Sequence, residues 1–328
     1  MHKLSLTQCH EQVDRADDFF QSAIHVRMGE GDDDESNRVE KKKKQFEGFE
    51  GSPHQTLTNH YYIQHLLCSI NQQTDFALSL INKLNTTELN FIRDDVDRSL
   101  LHLCVELGWL RAVEKLLDKQ VDVNVRDIEQ RTPIMLTLKL KTTEILKHLL
   151  KHPQISLNSQ TVEGFTVLHL ACIADKYQHL KLLLKHFDLQ LTIVDLTGRN
   201  FFHWLAEFKS KKCLKLIKLQ QQDDMLKTLI NMKDANGLTP LMIAIRHWPQ
   251  SAFVRQMLVM PSINVNSQDK HGKTILHWAI FDHRLVKYIL DKCNTLNVHI
   301  EDEFGQTALD YAQTQQLFKT VEILKRFS

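Results

Sequence analysis

The sequence has 328 residues, 42% of them hydrophobic, which is too long for one compact core but apolar enough for most of it to fold. Its 41 basic and 40 acidic residues give a formal net charge of +1, which excludes a global attraction to nucleic acid or to an anionic membrane. Residues 1–20 lack a signal-peptide core, and no segment approaches the roughly 18 consecutive apolar residues of a spanning helix. We therefore expect a soluble intracellular protein without membrane insertion, built from several units.

Residues 1–59 are predicted to form a disordered charged arm. An acidic run at 32–35 precedes the basic run Lys41, Lys42, Lys43 and Lys44, and a segment rich in glycine, serine and proline follows. Segregated charge with few apolar residues does not favour a packed core. The four lysines could be a nuclear import signal, a contact with an anionic surface or part of a solvated linker, so we expect a cytoplasmic protein with nuclear entry as the alternative.

Residues 60–93 contain two apolar patterns with helical spacing. The first is Ile63, Leu66, Leu67 and Ile70, and the second is Phe76, Leu80, Ile81 and Leu84. Repeat arrays need capped ends, because a terminal repeat otherwise exposes an apolar face. We predict that residues 60–93 form a helical cap or a degenerate repeat.

From residue 94 to residue 328 a short phrase recurs, clearest as GLTPLMIA at 237–244 and GKTILHWA at 272–279. Aligned on its threonine, the copies fall 33 to 39 residues apart, at Ser99, Thr132, Thr166, Asn200, Thr239, Thr274 and Thr307. The threonine is suited to cap a helix, Pro133 and Pro240 fit a first helical turn, and the glycine two residues before the threonine favours a turn.

This period and phrase resemble the ankyrin repeat, a turn followed by two antiparallel helices. The resemblance implies an all-α repeat solenoid with seven repeats over residues 94–328. It also implies that His102, His169, His203 and His277 make hydrogen bonds between neighbouring turns. Asp97 and Gln130 replace the turn glycine in the first two repeats, and Met135 replaces the histidine in the second.

The step after the fourth repeat is 39 residues, which leaves five or six extra residues within 219–228. We expect them to extend the second helix or to form a protruding loop, and we predict a partner contact there. The fourth phrase itself carries bulky residues from Asn200 to Ala206 where the pattern has proline and alanine.

Catalytic and metal-binding patterns are absent from the sequence. The six cysteines form no CxxC pair, which argues against a zinc ribbon and a disulfide framework, and we expect reduced, mostly buried thiols. His148 and His152 are four residues apart but lack a glutamate between them and an evident third ligand. No nucleotide-binding or nucleophile-elbow motif occurs. We predict no catalytic, cofactor or metal site, and an enzyme would have to lie within residues 1–90.

In ankyrin arrays the turn tips and the exposed side of each first helix form an extended concave surface. The resemblance therefore places a protein partner on residues just before the threonine and near the end of the first helix. Aromatic and arginine residues dominate binding hot spots. The predicted contacts are Arg131, Phe165, Arg199, Phe208, Arg246, His247, Trp248, Lys273 and Phe281. The alternative for Phe165 and Phe281 is that their rings pack between repeats. Arg199 and Arg246 are expected to be exposed. Trp204 and Trp278 are expected to lie in the core.

Two asparagines resemble the site that asparaginyl hydroxylases modify in ankyrin proteins. Asn124 and Asn266 each follow a valine and lie eight residues after a leucine, in the loop after the second helix. The alternative is that both are ordinary loop asparagines, a residue type that tolerates left-handed geometry.

The function predicted from the sequence is a monomeric, non-enzymatic scaffold, adaptor or inhibitor that binds protein and does not bind nucleic acid directly. The number of repeats and the extra residues before a later repeat resemble the inhibitor-of-kappa-B family, which masks Rel-type transcription factors. Against that resemblance, the arm lacks a degradation signal and the sequence lacks an acidic tail. The alternatives are an effector that an intracellular bacterium delivers into its host, and an enzyme with an unrecognised N-terminal activity.

Overall fold

The computed structural model describes residue 70 and residues 75–218, 224–260 and 262–327. The predicted arm at 1–59, with Lys41 to Lys44, and most of the first cap pattern lie outside these residues. The described residues divide into two compact units, an N-terminal unit up to Ile155 and a C-terminal unit from Ser156 onward. The described elements are helices, with one isolated β-bridge between Arg93 and Ser99, so the all-α prediction is confirmed.

The described part of the N-terminal unit begins with two helices that precede the first phrase. Its helices are α1 Asp75–Lys83, α2 Thr86–Phe91, α3 Leu100–Glu106, α4 Leu110–Asp118, α5 Pro133–Leu136 and α6 Glu144–Leu150, with a 3-10 turn at Thr137–Lys139. Leu80 and Ile81 of α1 are buried, and α1 packs against α4. The extent of the predicted cap, 60–93, stays a prediction.

The C-terminal unit consists of helix pairs that repeat the same packing. Its helices are α7 Val167–Ile173, α8 Tyr177–Leu183, α9 Phe201–Glu207, α10 Lys211–Lys218, α11 Asp224–Leu229, α12 Pro240–His247, α13 Ala252–Leu258, α14 Ile275–Ala279, α15 His283–Lys292, α16 Ala308–Thr314 and α17 Phe318–Leu324. The first helices of consecutive repeats (α7, α9, α12, α14 and α16) pack side by side, and each has its outer helix (α8, α10, α13, α15 or α17) behind it. This arrangement gives an inner layer and an outer layer of helices.

Each first helix begins at the threonine position of the phrase, as predicted. The side chains that accept a backbone N–H of the first turn are those of Ser99, Thr166, Asn200, Thr239 and Thr307. The phrase histidine completes the cap, because its Nδ1 accepts the backbone N–H of the capping residue, as at Thr166 and His169, 3.1 Å apart. In the second repeat, where Met135 replaces that histidine, the buried hydroxyl of Thr132 has no hydrogen-bond partner among the described residues.

The turn glycines are required by backbone geometry and by close approach to the next turn. Gly164 has φ +85°, and a Cβ there would lie 2.8 Å from the backbone nitrogen of Leu196, which donates to the carbonyl oxygen of Glu163 at 3.2 Å. Asp97 and Gln130, which replace the glycine in the first two repeats, adopt the same left-handed region, with φ of 62° and 60°. Side chains with a Cβ make that region unfavourable, so these two turns carry local strain.

The extra residues of the fourth repeat form a separate helix where they are described. α10 ends at Lys218, residues 219–223 lie outside the description, and α11 follows. Leu226 and Leu229 are buried, and the amide of Asn200 donates to the carbonyl oxygen of Leu229 at 2.8 Å. The described part is therefore packed onto the repeat instead of protruding, and a partner contact there stays a prediction.

Candidate partner-binding surface

Arg131, the predicted contact in the N-terminal unit, has its side chain in the interior. The residue is 6% exposed, and its guanidinium pairs with Asp127 at 2.7 Å and with Glu129 at 2.8 Å. The carboxylate of Asp127 also accepts two backbone N–H groups of the same turn. Arg131 thus stabilises its own turn, and the expectation that it offers a surface contact is corrected.

Phe165 is also buried, as the packing alternative allowed. It is 5% exposed, and its ring meets the ring of Trp204 edge-on with centroids 5.1 Å apart. Trp204 is 6% exposed, so its predicted core position is confirmed. Phe165 therefore joins the third and fourth repeats and does not present its ring to a partner.

The prediction that Arg199 is an exposed residue is wrong. Its side chain is 20% exposed, with Nε 3.2 Å from a carboxylate oxygen of Asp234 and Nη1 3.5 Å from Glu207. The guanidinium also lies 5.2 Å from the centre of the Trp204 ring. We call Arg199, Trp204, Glu207 and Asp234 the Arg199 cluster. Its function in the structure is to join the fourth repeat to the turn of the fifth.

A tryptophan determines that Arg199 reaches forward into the next turn. In the first repeat, Arg98 pairs with Asp94 of its own turn at 2.7 Å. In the fourth repeat the equivalent oxygen of Asp195 is already bonded by the indole N–H of Trp204, at 2.8 Å. Arg199 then pairs with the aspartate of the following turn, which the sequence alone did not indicate.

The sixth repeat has the same tryptophan but a lysine in place of the arginine. The indole N–H of Trp278 donates to Asp269 at 3.1 Å, so that oxygen is again occupied. Lys273 places its ammonium 4.7 Å from the centre of the Tyr311 ring, and not on the aspartate of the next turn. The buried Oδ2 of that aspartate, Asp302, has no hydrogen-bond partner among the described residues.

Arg246 and Phe281 are exposed at the ends of neighbouring first helices. Phe281 is 67% exposed, and the Arg246 guanidinium lies 5.5 Å from the centre of the Trp278 ring, which is half-buried three residues before Phe281. His247 is exposed and lies 3.2 Å from Glu207. We define the open patch by the predicted contacts that keep accessible surface here, namely Arg246, His247, Trp248, Lys273 and Phe281.

Trp248, at the edge of the open patch, contacts residues of the fourth repeat. Trp248 is half-buried and donates its indole N–H to the carbonyl oxygen of Glu207 at 2.9 Å. The Lys209 ammonium lies 5.1 Å from the centre of the Trp248 ring. Phe208, another predicted contact, is half-buried and stacks on Trp204 with centroids 6.1 Å apart. Sequence reasoning missed Glu207 as the residue that connects the Arg199 cluster to the open patch, because no local motif marks it.

Three of the four phrase histidines bond the following turn as expected, whereas the buried Nε2 of His169 has no hydrogen-bond partner among the described residues. The Nε2 atoms of His102, His203 and His277 lie 2.9 to 3.1 Å from a carbonyl oxygen of the following turn. Since Nδ1 accepts a backbone N–H, Nε2 is the protonated nitrogen and donates to that carbonyl. Burial lowers the pKa of His102 and of His203 to about 4, so both rings are uncharged near neutral pH.

Three of the four described cysteines are buried and do not have the properties of nucleophiles. Cys104, Cys172 and Cys213 are buried, as the sequence indicated for the first two, and burial raises the pKa of Cys104 to about 12. Such thiols stay protonated near neutral pH. Among the described residues no group of three or more histidine, cysteine, aspartate or glutamate side chains could hold a metal ion.

Asn124 and Asn266 use their side chains to hold the next loop. The Asn266 amide donates to the carbonyl oxygen of Thr295 at 2.7 Å and accepts from the backbone of Asn297 at 2.8 Å. The Asn124 amide donates to the carbonyl oxygen of Gln154 at 2.6 Å. Both residues are half-buried, and their hydroxylation stays a prediction.

Comparison with known proteins identifies the repeat. The family model described as "Ankyrin repeats (3 copies)" matches residues 64–161, 101–195, 134–223 and 249–326. Rabankyrin-5 of Mus musculus is 29% identical over 175 residues, 53% of this chain and 14% of that protein. An ankyrin repeat protein of Acanthamoeba polyphaga mimivirus is 26% identical over 221 residues, 67% of this chain and 24% of that protein. The chain thus spans less than a quarter of the length of these relatives.

A solved structure shows the same fold. The crystal structure of the ankyrin repeat domain of Bcl-3, described as a unique member of the IkappaB protein family, superposes with a TM-score of 0.59 at 22% sequence identity, covering 69% of this chain and 97% of that one. None of the helices in the described ranges is long and apolar enough to cross a membrane. The matches of the family model extend over well more than half of the sequence, and the chain therefore belongs to the ankyrin-repeat family, whose repeats are protein–protein interaction modules.

Proposed function

We propose that this protein is a non-enzymatic scaffold that binds a partner protein through the open patch of its C-terminal unit. The observation that carries the proposal is the arrangement of Arg246 over the Trp278 ring beside the exposed ring of Phe281. A cation held over an aromatic ring loses less conformational freedom on binding than a free arginine. Arginine and aromatic side chains of this kind supply most of the binding free energy in protein interfaces.

The chemistry of the patch favours a partner segment that combines acidic and apolar side chains. Arg246 and Lys273 are cations without a carboxylate within ion-pair distance among the described residues, and Phe281 adds an apolar surface. Glu207, the acidic residue at the edge, already contacts Arg199 and His247. A carboxylate of the partner would therefore find arginine and lysine donors that no internal acid occupies.

A finer assignment is a regulator that masks a Rel-type transcription factor in the cytoplasm, with nuclear entry through Lys41 to Lys44 as its alternative. The extra residues after α10 support it, because the inhibitor-of-kappa-B resemblance rested partly on them. The similarity to Bcl-3, at 22% identity, supports the fold alone. The runner-up is a bacterial effector acting inside a host cell, and the identity of the partner would separate the two assignments.

A photo-crosslinking amino acid at position 281 would test the proposal in the full chain. We expect discrete protein adducts from position 281, and few from the same probe at position 318, because Phe318 is 78% exposed on an outer helix. The adducts should be lost when Arg246→Glu is added. Equal adducts at the two positions, or adducts that survive Arg246→Glu, would show that the open patch is not the binding surface.

A further inference from the structure

The outer helices of the C-terminal unit carry one exposed basic residue at the same position in four consecutive repeats. In α8, α10, α13 and α15 the two residues just before this position are buried. In α15, for example, they are Leu285 and Val286, which come just before Lys287. The four residues, which we call the basic column, are Lys181, Lys215, Arg255 and Lys287. In α17 the equivalent position is Glu322, which pairs with Arg326 at 2.6 Å, so the column ends there.

Further exposed basic residues lie on the outer helices or next to them. They are Lys211 and Lys212 of α10, Arg284 of α15, and Lys185 two residues after the end of α8. No residue of the basic column has a carboxylate within ion-pair distance among the described residues, and Arg255 instead lies 5.5 Å from the centre of the Tyr288 ring. Among the described helices, α8, α10 and α13 contain no aspartate or glutamate, whereas α11 begins with Asp224, which pairs with Lys227, and α15 contains Asp291.

Four aspartates of this unit lie in the turns between repeats. Asp195, Asp234, Asp269 and Asp302 are buried there as backbone acceptors. The formal net charge of +1 for the whole chain therefore conceals a local excess of exposed basic residues on the outer helices, where Asp291 is the exposed acid of α15.

The geometry of the outer face suits a flat anionic surface better than a single bound molecule. The column places one charge on each helix, and α8 packs against α10, so Lys181 and Lys215 are separated by about the 8–10 Å of packed helices. Lysine side chains are hydrated point charges that do not form a fixed fork for one phosphate or carboxylate. Two exposed apolar residues, Phe187 at 89% and Val259 at 47%, lie just after α8 and α13, the helices that carry Lys181 and Arg255.

We propose that the outer face of residues 176–292, centred on the basic column, docks the protein on an anionic lipid bilayer. Lysine and arginine residues near such a surface each contribute about 1 kcal/mol of attraction at moderate salt. Phe187 and Val259 would enter the interfacial region, where aromatic and aliphatic side chains strengthen peripheral binding. Because the open patch lies on the first helices, the same molecule can hold a protein partner while it is bound to a membrane.

Sedimentation of the full chain with lipid vesicles tests this proposal. We expect binding to phosphatidylcholine vesicles that contain phosphatidylserine, no binding to phosphatidylcholine alone, and weaker binding as salt rises because exposed charges are screened. Lys181→Glu with Lys215→Glu should weaken the binding at least about tenfold. Both residues are exposed, so the unfolding midpoint should not change.

The matched control is Lys233→Glu with Lys270→Glu, which changes the net charge equally at exposed residues outside the outer helices. This control should keep nearly full vesicle binding. An equal loss in both variants would overturn the proposal, because net charge alone would then explain the binding. Wild-type binding by the Lys181→Glu, Lys215→Glu variant would assign it elsewhere in the chain. Binding to polyglutamate without binding to vesicles would also overturn the proposal, and would identify an acidic protein segment as the occupant.

Discussion

The Arg199 cluster and the open patch are neighbouring parts of one unit that use the same residue types in opposite ways. In the cluster, Arg199 is paired with Asp234 and Glu207 and keeps one fifth of its side chain exposed. In the patch, Arg246 and Lys273 lie over aromatic rings and have no acidic partner within ion-pair distance among the described residues. An arginine at a variable position of the repeat can thus be structural, as Arg199 is just before the cap residue, or without an acidic partner, as Arg246 is near the end of its first helix.

The difference depends on the carboxylate in the following turn and on the length and shape of the basic side chain. The indole N–H groups of Trp204 and Trp278 each donate to the aspartate of their own turn. Arg199 then reaches Asp234 with its guanidinium, whereas Lys273 leaves one oxygen of Asp302 without a partner. Arginine has a planar fork that can bond a carboxylate while stacking on a ring, and lysine has a single ammonium.

Arg199→Ala should lose more stability than any other substitution at the two regions. We expect the free energy of unfolding to fall by about 2 to 3 kcal/mol, because the substitution leaves the Asp234 carboxylate buried without its cation. Lys273→Ala at the equivalent position should change it by no more than about 0.5 kcal/mol, since its ammonium makes no ion pair. Denaturant unfolding of both variants measures the difference. Equal losses would mean that the two regions do not differ as described.

The second prediction concerns the free energy of unfolding at low pH, which should depend on His203, a neighbour of the Arg199 cluster. Its pKa is lowered by burial to about 4 in the folded protein, below the ordinary value of 6.5, so the unfolded chain takes up a proton first as the pH falls. Stability from this residue is therefore complete above pH 6.5 and is lost as the pH falls toward 4, by about 2 kcal/mol between pH 7 and pH 5.

His203→Met, which copies Met242 of the fifth repeat, tests this dependence. Between pH 7 and pH 5 the free energy of unfolding of the variant should fall by about 2 kcal/mol less than that of the wild type. This difference does not depend on the stability of the variant at pH 7. Urea unfolding at the two pH values gives the comparison. Parallel losses in the two proteins would contradict a neutral buried His203.

The smallest expected effect is a gain in stability. Lys273→Arg should place a guanidinium within reach of the unpaired oxygen of Asp302 and reproduce the pairing of Arg199, which would raise the free energy of unfolding by about 0.5 to 1 kcal/mol. The thermal midpoint measures this gain. An unchanged or lower midpoint would show that the sixth turn cannot adopt the geometry of the fourth.

The repeat and its local geometry could be predicted from the sequence because both depend on short-range patterns. The capping role of Thr166 and the left-handed conformation of Gly164 follow from residues within one turn. The burial of Cys104 and Trp204 also follows from their places in the phrase. Because such features recur from repeat to repeat, a pattern that is unclear in one repeat can be recognised from the others.

The details of the candidate surface could not be predicted in the same way, because they depend on pairs more than thirty positions apart. Arg199 meets Asp234 and Lys273 meets Tyr311 across neighbouring repeats. The phrase of one repeat does not encode which charged or aromatic group of the next repeat faces a given side chain. The basic column escaped the sequence interpretation for a similar reason, since it appears only when the outer helices are aligned by their buried residues.

We infer that the open patch binds a partner, whereas the Arg199 cluster stabilises the fold. The most direct measurement is the affinity of Arg246→Ala for the protein crosslinked from position 281, made together with its free energy of unfolding. We predict at least about tenfold weaker binding, about 1.4 kcal/mol, with an unfolding free energy within about 0.5 kcal/mol of the wild type. Wild-type affinity in Arg246→Ala, or a loss of stability as large as that of Arg199→Ala, would contradict the claim.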